Sequence, residues 1–321
     1  MKRILLSLTL LVTMIATAAC GGAAKPDAAK PAETPGATPA APVARTFKTD
    51  LGDLTLPATP KKIVAINLQA IDSLVALGVK PVGYAEPGGE PVNYLGNALE
   101  GIAKVGSHSK PSLESIAALQ PDLIIIDSSQ QKDLVPELQK IAPVLGIRST
   151  SYQETMTQLA LLGDIVGKKA EAEKFATDFD GKIKAYIAKA GGKQGPKVQA
   201  IFGSEQKPGL WLGKSFVGSI LSALNGVHAY SGPSDPDYPD LVYTSLEKIL
   251  ESNPQVLLMM STPGKELSKA FAANPAFKNT DAAKTNRVHE VDRQSWSRSR
   301  GPIAATQILD QAFPLLYPEA K

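Results

Sequence analysis

Apolar β-branched runs alternate with helical patterns along most of the chain. Residues 63–66 predict a strand, Ala70 to Leu77 a helix, and Pro81 to Tyr84 a second strand. Leu123 to Ile126 is apolar at every position, which is typical of a central parallel strand covered by helices on both faces. Three further strands are predicted in the second half, at Lys197 to Phe202, Val256 to Met260 and Arg287 to Val291. This alternation indicates an α/β protein with parallel-type sheets.

One longer helical pattern separates the two halves, at about residues 168–190. Apolar residues recur every four positions within it, at Phe175, Phe179, Ile183 and Ile187. Two glycines, Gly191 and Gly192, end the pattern. We therefore expect two Rossmann-like lobes, an N-terminal lobe over 46–167 and a C-terminal lobe over 191–321, joined by one long, stiff helix.

The first 45 residues differ from the rest of the chain. Lys2 and Arg3 precede an apolar run that ends in small residues before Cys20, so residues 1–19 are predicted to be a secretory signal. Residues 20–45 are rich in Ala, Pro and Gly without a hydrophobic period, and we expect a disordered linker there. The run before Cys20 resembles the lipobox of bacterial lipoproteins. That resemblance implies acylation of Cys20 and a lipid anchor on the outer face of the cell membrane.

Charge and composition argue against several classes of protein. The formal net charge of +3 falls to +1 once Lys2 and Arg3 leave with the signal, so no nucleic-acid partner is expected. The single cysteine excludes an internal disulfide framework. Three histidines without ligand spacing argue against a bare-metal binder. The folded part has no Gly-x-Ser-x-Gly elbow, which argues against an extracellular hydrolase. Neither enzymatic activity nor a cofactor is expected.

A weak internal repeat relates the two halves. Each half contains a Leu-Glu-x-Ile segment followed by a proline and a strand. The glutamates, Glu114 and Glu247, precede Pro121 and Pro254 by seven residues each. Helix, proline and strand in this order is also common in α/β proteins generally. The functional interpretation is two lobes of like topology that each display one glutamate to a two-fold-symmetric partner.

Five segments carry a resemblance to a known family: 105–114, 119–125, 209–213, 216–224 and 301–305. Their order and spacing resemble those of substrate-binding lipoproteins that serve ABC importers of iron-siderophores and cobalamin, a periplasmic-binding-protein-like group. The resemblance implies two lobes joined by a long helix, with the ligand held between them. It also implies that Glu114 and Glu247 form salt bridges with a permease dimer. We expect the protein to act as a monomer.

The arginines indicate what kind of ligand is bound. Four of the six arginines that follow the signal lie close together, at Arg287, Arg293, Arg298 and Arg300. Trp296 and three serines lie in the same run, between a predicted strand and a predicted helix, where α/β proteins bind ligands. Guanidinium groups bind carboxylates bidentately, so a pocket for an oxygen-rich anion is predicted around Arg293, Arg298, Arg300 and Trp296. A solvated basic loop is the alternative.

In the family, arginine clusters in this loop accompany ferric chelates of the carboxylate or citrate type. The resemblance therefore implies a ferric siderophore, preferably ferric citrate, that carries its own Fe(III). Six further residues complete the predicted site: His108, Arg148, Trp211, Phe216, Tyr84 and Tyr230. Heme is the main alternative ligand, with His108 or a tyrosine as the axial ligand, and cobalamin is a weaker one. For His108 a solvent-facing loop position is the structural alternative, and for Trp211 and Phe216 a place in the core.

Overall fold

The computed structural model describes residues 44–89 and 91–320. The predicted signal, Cys20 and the predicted linker up to residue 43 lie outside these ranges, so their roles stay predictions. Arg45, the last residue of that linker, already belongs to a hairpin of β1 (Arg45–Thr49) and β2 (Gly52–Leu56). Within the described ranges, no helix combines the length and the apolarity needed to cross a membrane.

The N-terminal lobe is built on a six-stranded sheet. Its strands are β3 (Ile63–Ala65), β4 (Gly83–Glu86), β5 (Ala103–Ser107), β6 (Lys110–Pro111), β7 (Leu123–Asp127) and β8 (Val144–Ile147). Its helices are α1 (Leu68–Ala76), α2 (Leu113–Ala118), α3 (Val135–Leu138) and α4 (Tyr152–Ile165). The strand order is β6-β5-β4-β3-β7-β8, and only the pair of β5 and β6 is antiparallel.

A single long helix, α5 (Lys169–Lys189), connects the two lobes. Ala172 and Phe175 on this helix pack against the core of the N-terminal lobe. Phe179 and Ile183 pack against the core of the C-terminal lobe. The apolar stripe of α5 therefore passes from one core to the other, and the predicted architecture of two lobes joined by one long helix is confirmed.

The C-terminal lobe also contains a six-stranded sheet. Its strands are β9 (Lys197–Gly203), β10 (Pro208–Trp211), β11 (Val227–His228), β12 (Leu241–Tyr243), β13 (Val256–Met260) and β14 (Val288–Glu290). Its helices are α6 (Phe216–Ala223), α7 (Leu246–Ser252), α8 (Leu267–Ala272), α9 (Asp281–Lys284) and α10 (Pro302–Leu316). The order is β12-β10-β9-β13-β14, with β11 beside β9. This sheet is mixed because β10 runs antiparallel to β9 and β12.

The internal repeat corresponds to a repeated local structure. Helix α2 ends before Gln120 and helix α7 ends before Asn253, and these two residues have positive φ angles of 49° and 42°. After the following proline, Asp122 N–H donates to Lys62 O at 2.9 Å, and Gln255 N–H donates to Lys197 O at 2.8 Å. Each bond sets the register of a central parallel strand, β7 against β3 and β13 against β9.

The two glutamates of the repeat occupy matching places in the two lobes. Glu114 is the second residue of α2 and Glu247 the second residue of α7, and both side chains are exposed. A hydrogen bond from the Ser245 side chain lowers the pKa of Glu247. An acidic side chain in the first turn also interacts favourably with the helix dipole. The positions therefore suit two outward-facing negative charges, one on each lobe.

Helix α10 belongs to the C-terminal lobe but packs against the cores of both lobes. Ile303 in its first turn packs against the N-terminal core. Ala304, Ile308 and Phe313 pack in the C-terminal core. Because α10 contacts both cores, the segment just before it lies at the boundary between the lobes.

Candidate functional site

A cleft between the lobes encloses a cavity of about 460 Å³, within the usual range for small-molecule sites. The N-terminal lobe contributes residues from the ends of its strands and the start of α1. The C-terminal lobe contributes an aromatic wall and the loop before α10. The residues that line the cleft include Asn67, His108, Asp127, Arg148, Phe202, Trp211, Tyr238, Asp240, Tyr243, Arg298 and Arg300.

On the N-terminal side, an ion pair lies at the carboxyl ends of two adjacent parallel strands. Asp127 is the last residue of β7, and Arg148 follows directly after β8. Arg148 Nη1 lies 3.5 Å from Asp127 Oδ2. Asp127 Oδ1 also accepts the backbone N–H groups of Ser129 at 2.9 Å and Gln130 at 2.7 Å, which fixes the carboxylate. The carboxyl edge of a parallel sheet thus places one cation and one anion in the cleft.

On the C-terminal side, Arg300 forms a more deeply buried ion pair. Its Nη1 lies 3.1 Å from Asp240 Oδ2, and the two side chains are 17% and 3% exposed. The same Nη1 donates to Ser149 O of the N-terminal lobe at 3.1 Å. Burial lowers the pKa of Arg300, the charge of Arg148 lowers it further, and Asp240 acts in the opposite direction. An additional anion next to these arginines would therefore be stabilised electrostatically.

Arg298 is the third arginine of the cleft. Its Nη1 donates to Pro87 O of the N-terminal lobe at 3.2 Å. Gly88 lies beside it, and a Cβ atom at that residue would come within 3.1 Å of Nη1. The glycine, with φ of 62°, lets the loop after β4 approach the guanidinium closely. Arg298 and Arg300 therefore both reach across the boundary between the lobes.

An aromatic wall covers the C-terminal side of the cleft. Phe202 and Trp211 stack with ring centroids 4.5 Å apart, and Tyr243 meets Phe202 edge-on at 5.8 Å. The Arg300 guanidinium lies 5.4 Å from the centroid of Trp211. Tyr238 is 49% exposed at the mouth of the cleft. The site therefore has an ion pair on each lobe and a flat aromatic surface on the C-terminal side.

His108 lies in the cleft, but protein groups engage both of its ring nitrogens. Nε2 is 3.0 Å from Gln130 Oε1, and Nδ1 is 3.3 Å from both Gln131 Nε2 and Ile66 O. The ring is therefore held in the wall rather than presented as a metal ligand. Within residues 44–89 and 91–320, no group of three or more His, Cys, Asp or Glu side chains is placed to hold a metal ion.

Two hydrogen-bond donors of the cleft residues lack a partner. Across the described residues, four buried side-chain polar atoms make no hydrogen bond, and two of them are Asn67 Nδ2 and Trp211 Nε1. Both residues line the cleft. Both atoms are themselves buried, so they do not face the cleft directly.

The structure corrects part of the prediction for the arginine loop. Residues 294–298 form one turn of π-helix. Trp296 is fully buried and donates from Nε1 to Gln311 Oε1 at 2.7 Å. Arg293 lines a separate surface groove beside Glu290 and Asp292. Arg287 donates to the carbonyls of Leu315 and Leu316 at the end of α10. Of the clustered arginines, only Arg298 and Arg300 line the cleft.

Three of the other predicted aromatic residues also lie outside the cleft lining. Phe216 begins α6 and is 3% exposed within the C-terminal core. Tyr84 lies on β4 and packs in the N-terminal core. Tyr230 donates from its hydroxyl to Pro233 O at 3.2 Å. Apolar contacts within each lobe therefore account for Phe216 and Tyr84, and a local loop bond for Tyr230. The predicted residues that do line the cleft are Arg298, Arg300, Arg148, His108 and Trp211.

The sequence interpretation missed the carboxylates and most of the aromatic wall. Asp127 could have been found because it directly follows a fully apolar parallel strand, whose carboxyl end is a favoured ligand position. Tyr238 lies between two prolines in a turn-rich segment, which indicates an exposed aromatic on a rigid loop. No local pattern marks Asp240 or Phe202, which reach the cleft only through the packing of the C-terminal sheet.

Two α/β lobes with a charged, aromatic-walled cleft between them define a two-lobed ligand-binding protein. A family model described as periplasmic binding protein matches residues 63–294. The chain belongs to this family, and the family resemblance inferred from the sequence motifs is confirmed. The family consists of substrate-binding proteins.

Two relatives extend over most of the chain. The Fe(3+) dicitrate-binding periplasmic protein FecB of Escherichia coli (strain K12) is 32% identical over 278 residues, which is 85% of this chain and 91% of the relative. The Fe(3+)-citrate-binding protein YfmC of Bacillus subtilis (strain 168) is 28% identical over 262 residues, which is 80% of this chain and 81% of the relative. Among solved structures, Staphylococcus aureus SirA complexed with staphyloferrin B matches with a TM-score of 0.73 at 24% identity. The match covers 86% of this chain and 100% of SirA and shows the same fold.

Proposed function

We propose that this protein is the extracytoplasmic substrate-binding component of an ABC importer and captures a ferric carboxylate chelate, with ferric citrate as the first candidate. The chelate binds between the lobes and keeps its iron. The protein supplies binding groups and no catalytic chemistry. It acts as a monomer, held by a lipid on Cys20 at the outer face of the cell membrane.

The observation that carries this proposal is the convergence of three arginines from both lobes on one cleft. Among the described lining residues, Arg148, Arg298 and Arg300 outnumber the two aspartates, so the cleft favours an anion. Guanidinium groups match carboxylates in shape as well as charge. Ferric citrate offers many carboxylate oxygens in a compact, negatively charged complex.

The relatives support the same ligand class. The names of two of them specify Fe(3+) dicitrate and Fe(3+)-citrate. Another relative is described as a putative ABC transporter substrate-binding lipoprotein, which agrees with the importer role and the anchor. The relatives named for ferric citrate do not favour heme. His108, one of the two kinds of axial ligand predicted for heme, also has both ring nitrogens in contact with protein groups.

Delivery to the permease is assigned to the two repeat glutamates. Glu114 and Glu247 occupy the same position in equivalent helices, one on each lobe, and both are exposed. A pseudo-symmetric protein with one acid on each lobe complements a permease dimer with one basic pocket on each subunit. Docking through both glutamates would orient the cleft toward the translocation path.

Titration of intrinsic tryptophan fluorescence tests the ligand. Trp211 lines the cleft and Trp296 is buried away from it, so ligand binding is expected to change the emission of Trp211. Ferric citrate is compared with a ferric hydroxamate, a ferric catecholate, heme and cobalamin. We expect saturable binding of ferric citrate at the lowest concentration, and loss of most of the signal in Trp211→Phe.

Arginine variants link the binding to the cleft. Arg298→Gln is expected to weaken ferric citrate binding by at least about ten-fold, the change that corresponds to one lost charge-assisted contact. Arg45→Gln is the matched control, because Arg45 forms an exposed ion pair with Asp164 outside the cleft. Tighter binding of heme or hydroxamate, or equal affinity in both variants, would contradict the proposal.

A further inference from the structure

A buried carboxylate joins the two lobes next to the arginine loop. Asp72 lies on α1 of the N-terminal lobe and is fully buried. Its Oδ1 accepts the backbone N–H of Ile303 at 2.7 Å, and its Oδ2 accepts that of Ala304 at 3.0 Å. These amides belong to the first turn of α10, where backbone N–H groups have no partner within the helix. Asp72 therefore caps α10 from the opposite lobe.

Helix α10 has no side-chain cap of its own. Its N-cap residue is Gly301, in extended conformation with φ of −90°, and no side chain there accepts a hydrogen bond. The N-cap position normally supplies Ser, Thr, Asp or Asn for this purpose. A Cβ atom at Gly301 would overlap the Asp72 carboxyl group. The glycine thus makes room for a cap that comes from another part of the chain.

The same carboxylate holds the residue between the two cleft arginines. Ser299 Oγ lies 3.3 Å from Asp72 Oδ2, and the hydroxyl of Tyr94 lies 2.8 Å from Oδ2 and 2.9 Å from Ser299 Oγ. Ser299 Oγ in turn accepts the N–H of Gly301 at 3.1 Å. Tyr94 belongs to the N-terminal lobe, so this network fixes the backbone between Arg298 and Arg300 against that lobe.

We propose that Asp72 is a positioning residue for the ligand cleft, which fixes the angle between the lobes and the direction of Arg298 and Arg300 by capping α10 across the lobe boundary. The inference rests on the proposed function for the identity of the ligand. The lobe angle is a property of the ligand-free protein and is tested independently of any ligand.

The test separates capping of α10 from positioning of the lobes. In Asp72→Gly the cap is lost and space opens beside residue 301. In the double variant Asp72→Gly with Gly301→Ser, the serine hydroxyl caps α10 locally but makes no link to the other lobe. Both variants carry the same glycine in α1, so its helix-breaking cost cancels in the comparison.

The lobe angle is measured by pulsed spin-label distances without ligand. Labels are placed at Lys140→Cys and Lys269→Cys, two exposed positions on different lobes, in a Cys20→Ser background. We expect a narrow distance distribution in the parent and a broadened one in Asp72→Gly. The double variant is expected to regain melting temperature but to keep the broad distribution. Its affinity for ferric citrate is expected to stay about ten-fold below the parent.

Two results would overturn the inference. A double variant that recovers both the narrow distribution and the affinity would show that Asp72 serves only to cap the helix. An unchanged distribution in Asp72→Gly would show that other contacts set the lobe angle. If Asp72→Gly fails to fold, Asp72→Asn decides, because its amide keeps one acceptor and loses the other. A distribution as narrow in Asp72→Asn as in the parent would then refute the role. Failure of the parent to bind ferric citrate would overturn the proposed ligand and leave the distance test valid.

Discussion

Carboxylates next to the cleft arginines reduce the positive charge that a ligand meets. Asp240 is almost fully buried against Arg300, and Asp127 lies against Arg148. These acids orient the guanidinium groups and pair their positive charges, because an unpaired charge in the protein interior is costly. They also compete with an anionic ligand for the same donors. The two acids therefore lower the attraction that an anionic ligand would meet in the cleft.

Replacement of one such acid tests this competition. Asp240→Asn is expected to tighten ferric citrate binding by several-fold to about ten-fold, because removal of a negative charge beside the ligand contributes on the order of 1 kcal/mol. The gain should shrink at high salt. The free energy of unfolding should fall by roughly 1–3 kcal/mol, since Arg300 loses a charged partner. Asp164→Asn, which removes an exposed acid outside the cleft, is the control in the same titration. Weaker binding in Asp240→Asn would show that orientation outweighs repulsion.

The buried Asp72 makes stability depend on pH with a defined sign. Burial raises the pKa of Asp72 from 3.8 to about 6, against the opposing hydrogen bonds from Ile303, Ala304, Tyr94 and Ser299. The titratable side chain that faces Asp72 is Tyr94, whose own pKa is raised well above its usual range by burial and by the Asp72 charge. The folded state therefore binds the Asp72 proton more tightly than the unfolded chain. This contribution stabilises the protein at low pH and is lost as the pH rises from about 4 through 6.

The contribution of Asp72 to the free energy of unfolding changes by about 3 kcal/mol at most, because its pKa rises from 3.8 to about 6. Denaturant unfolding of the parent and of Asp72→Asn between pH 4 and pH 7 separates the contribution of Asp72 from those of the other titratable groups. We expect the difference in free energy of unfolding, parent minus variant, to fall as the pH rises. A difference that rises with pH would mean that hydrogen bonding outweighs burial at Asp72.

At the level of elements, long apolar patterns were predicted well and short strands were not. The predicted bounds of β7, β13 and α5 agree with the structure to within about one residue. The two predicted strands are apolar at every position and the helix has an apolar residue every four positions, so burial determines both patterns. The strands β10, β11 and β12 were missed, since they contain two to four residues and β10 begins with a proline. They carry or border the aromatic wall of the cleft.

The arginine loop shows why a site is harder to predict than a fold. The sequence predicted a ligand site at the connection between the last strand and the last helix of the C-terminal lobe, and Arg298 and Arg300 of this connection line the cleft. The sequence predicted a pocket around Arg293, Trp296, Arg298 and Arg300, whereas the π-helical turn buries Trp296 and only Arg298 and Arg300 of these residues line the cleft. The π-helical turn at residues 294–298 determines which side chains of the loop line the cleft, and its conformation depends on packing against both lobes.

Helices α2 and α7 give the docking proposal its test. The double variant Glu114→Ala with Glu247→Ala is expected to keep full affinity for the ligand and to abolish uptake of ferric citrate in cells. Glu137→Ala with Glu251→Ala is the matched control, because these exposed acids also lie one on each lobe and form local pairs with Lys140 and Lys248. Normal uptake by the first variant, or equal loss in both, would remove the two glutamates from the docking role.

For the whole molecule, the two connecting helices limit how far the lobes can move. Both α5 and α10 pack into both cores, and side chains of Thr155 and Arg300 add hydrogen bonds across the boundary. We expect ligand binding to shift the backbone by about 1 Å or less, as in other preorganised complexes. Small-angle scattering of the ligand-free and ligand-bound protein should give radii of gyration that agree within this limit. A large contraction would indicate a hinge that these contacts do not restrain.

The arginine loop and α10 follow every described strand of both sheets in the chain. If the chain is secreted amino end first, as its predicted signal implies, all of these strands can pair before Arg298, Arg300 and α10 emerge. Folding of the protein would then be ordered. Each lobe would form its own sheet before the arginine loop and α10 pack between the two lobes. The cleft would then be able to bind a ferric chelate only after the final step of folding.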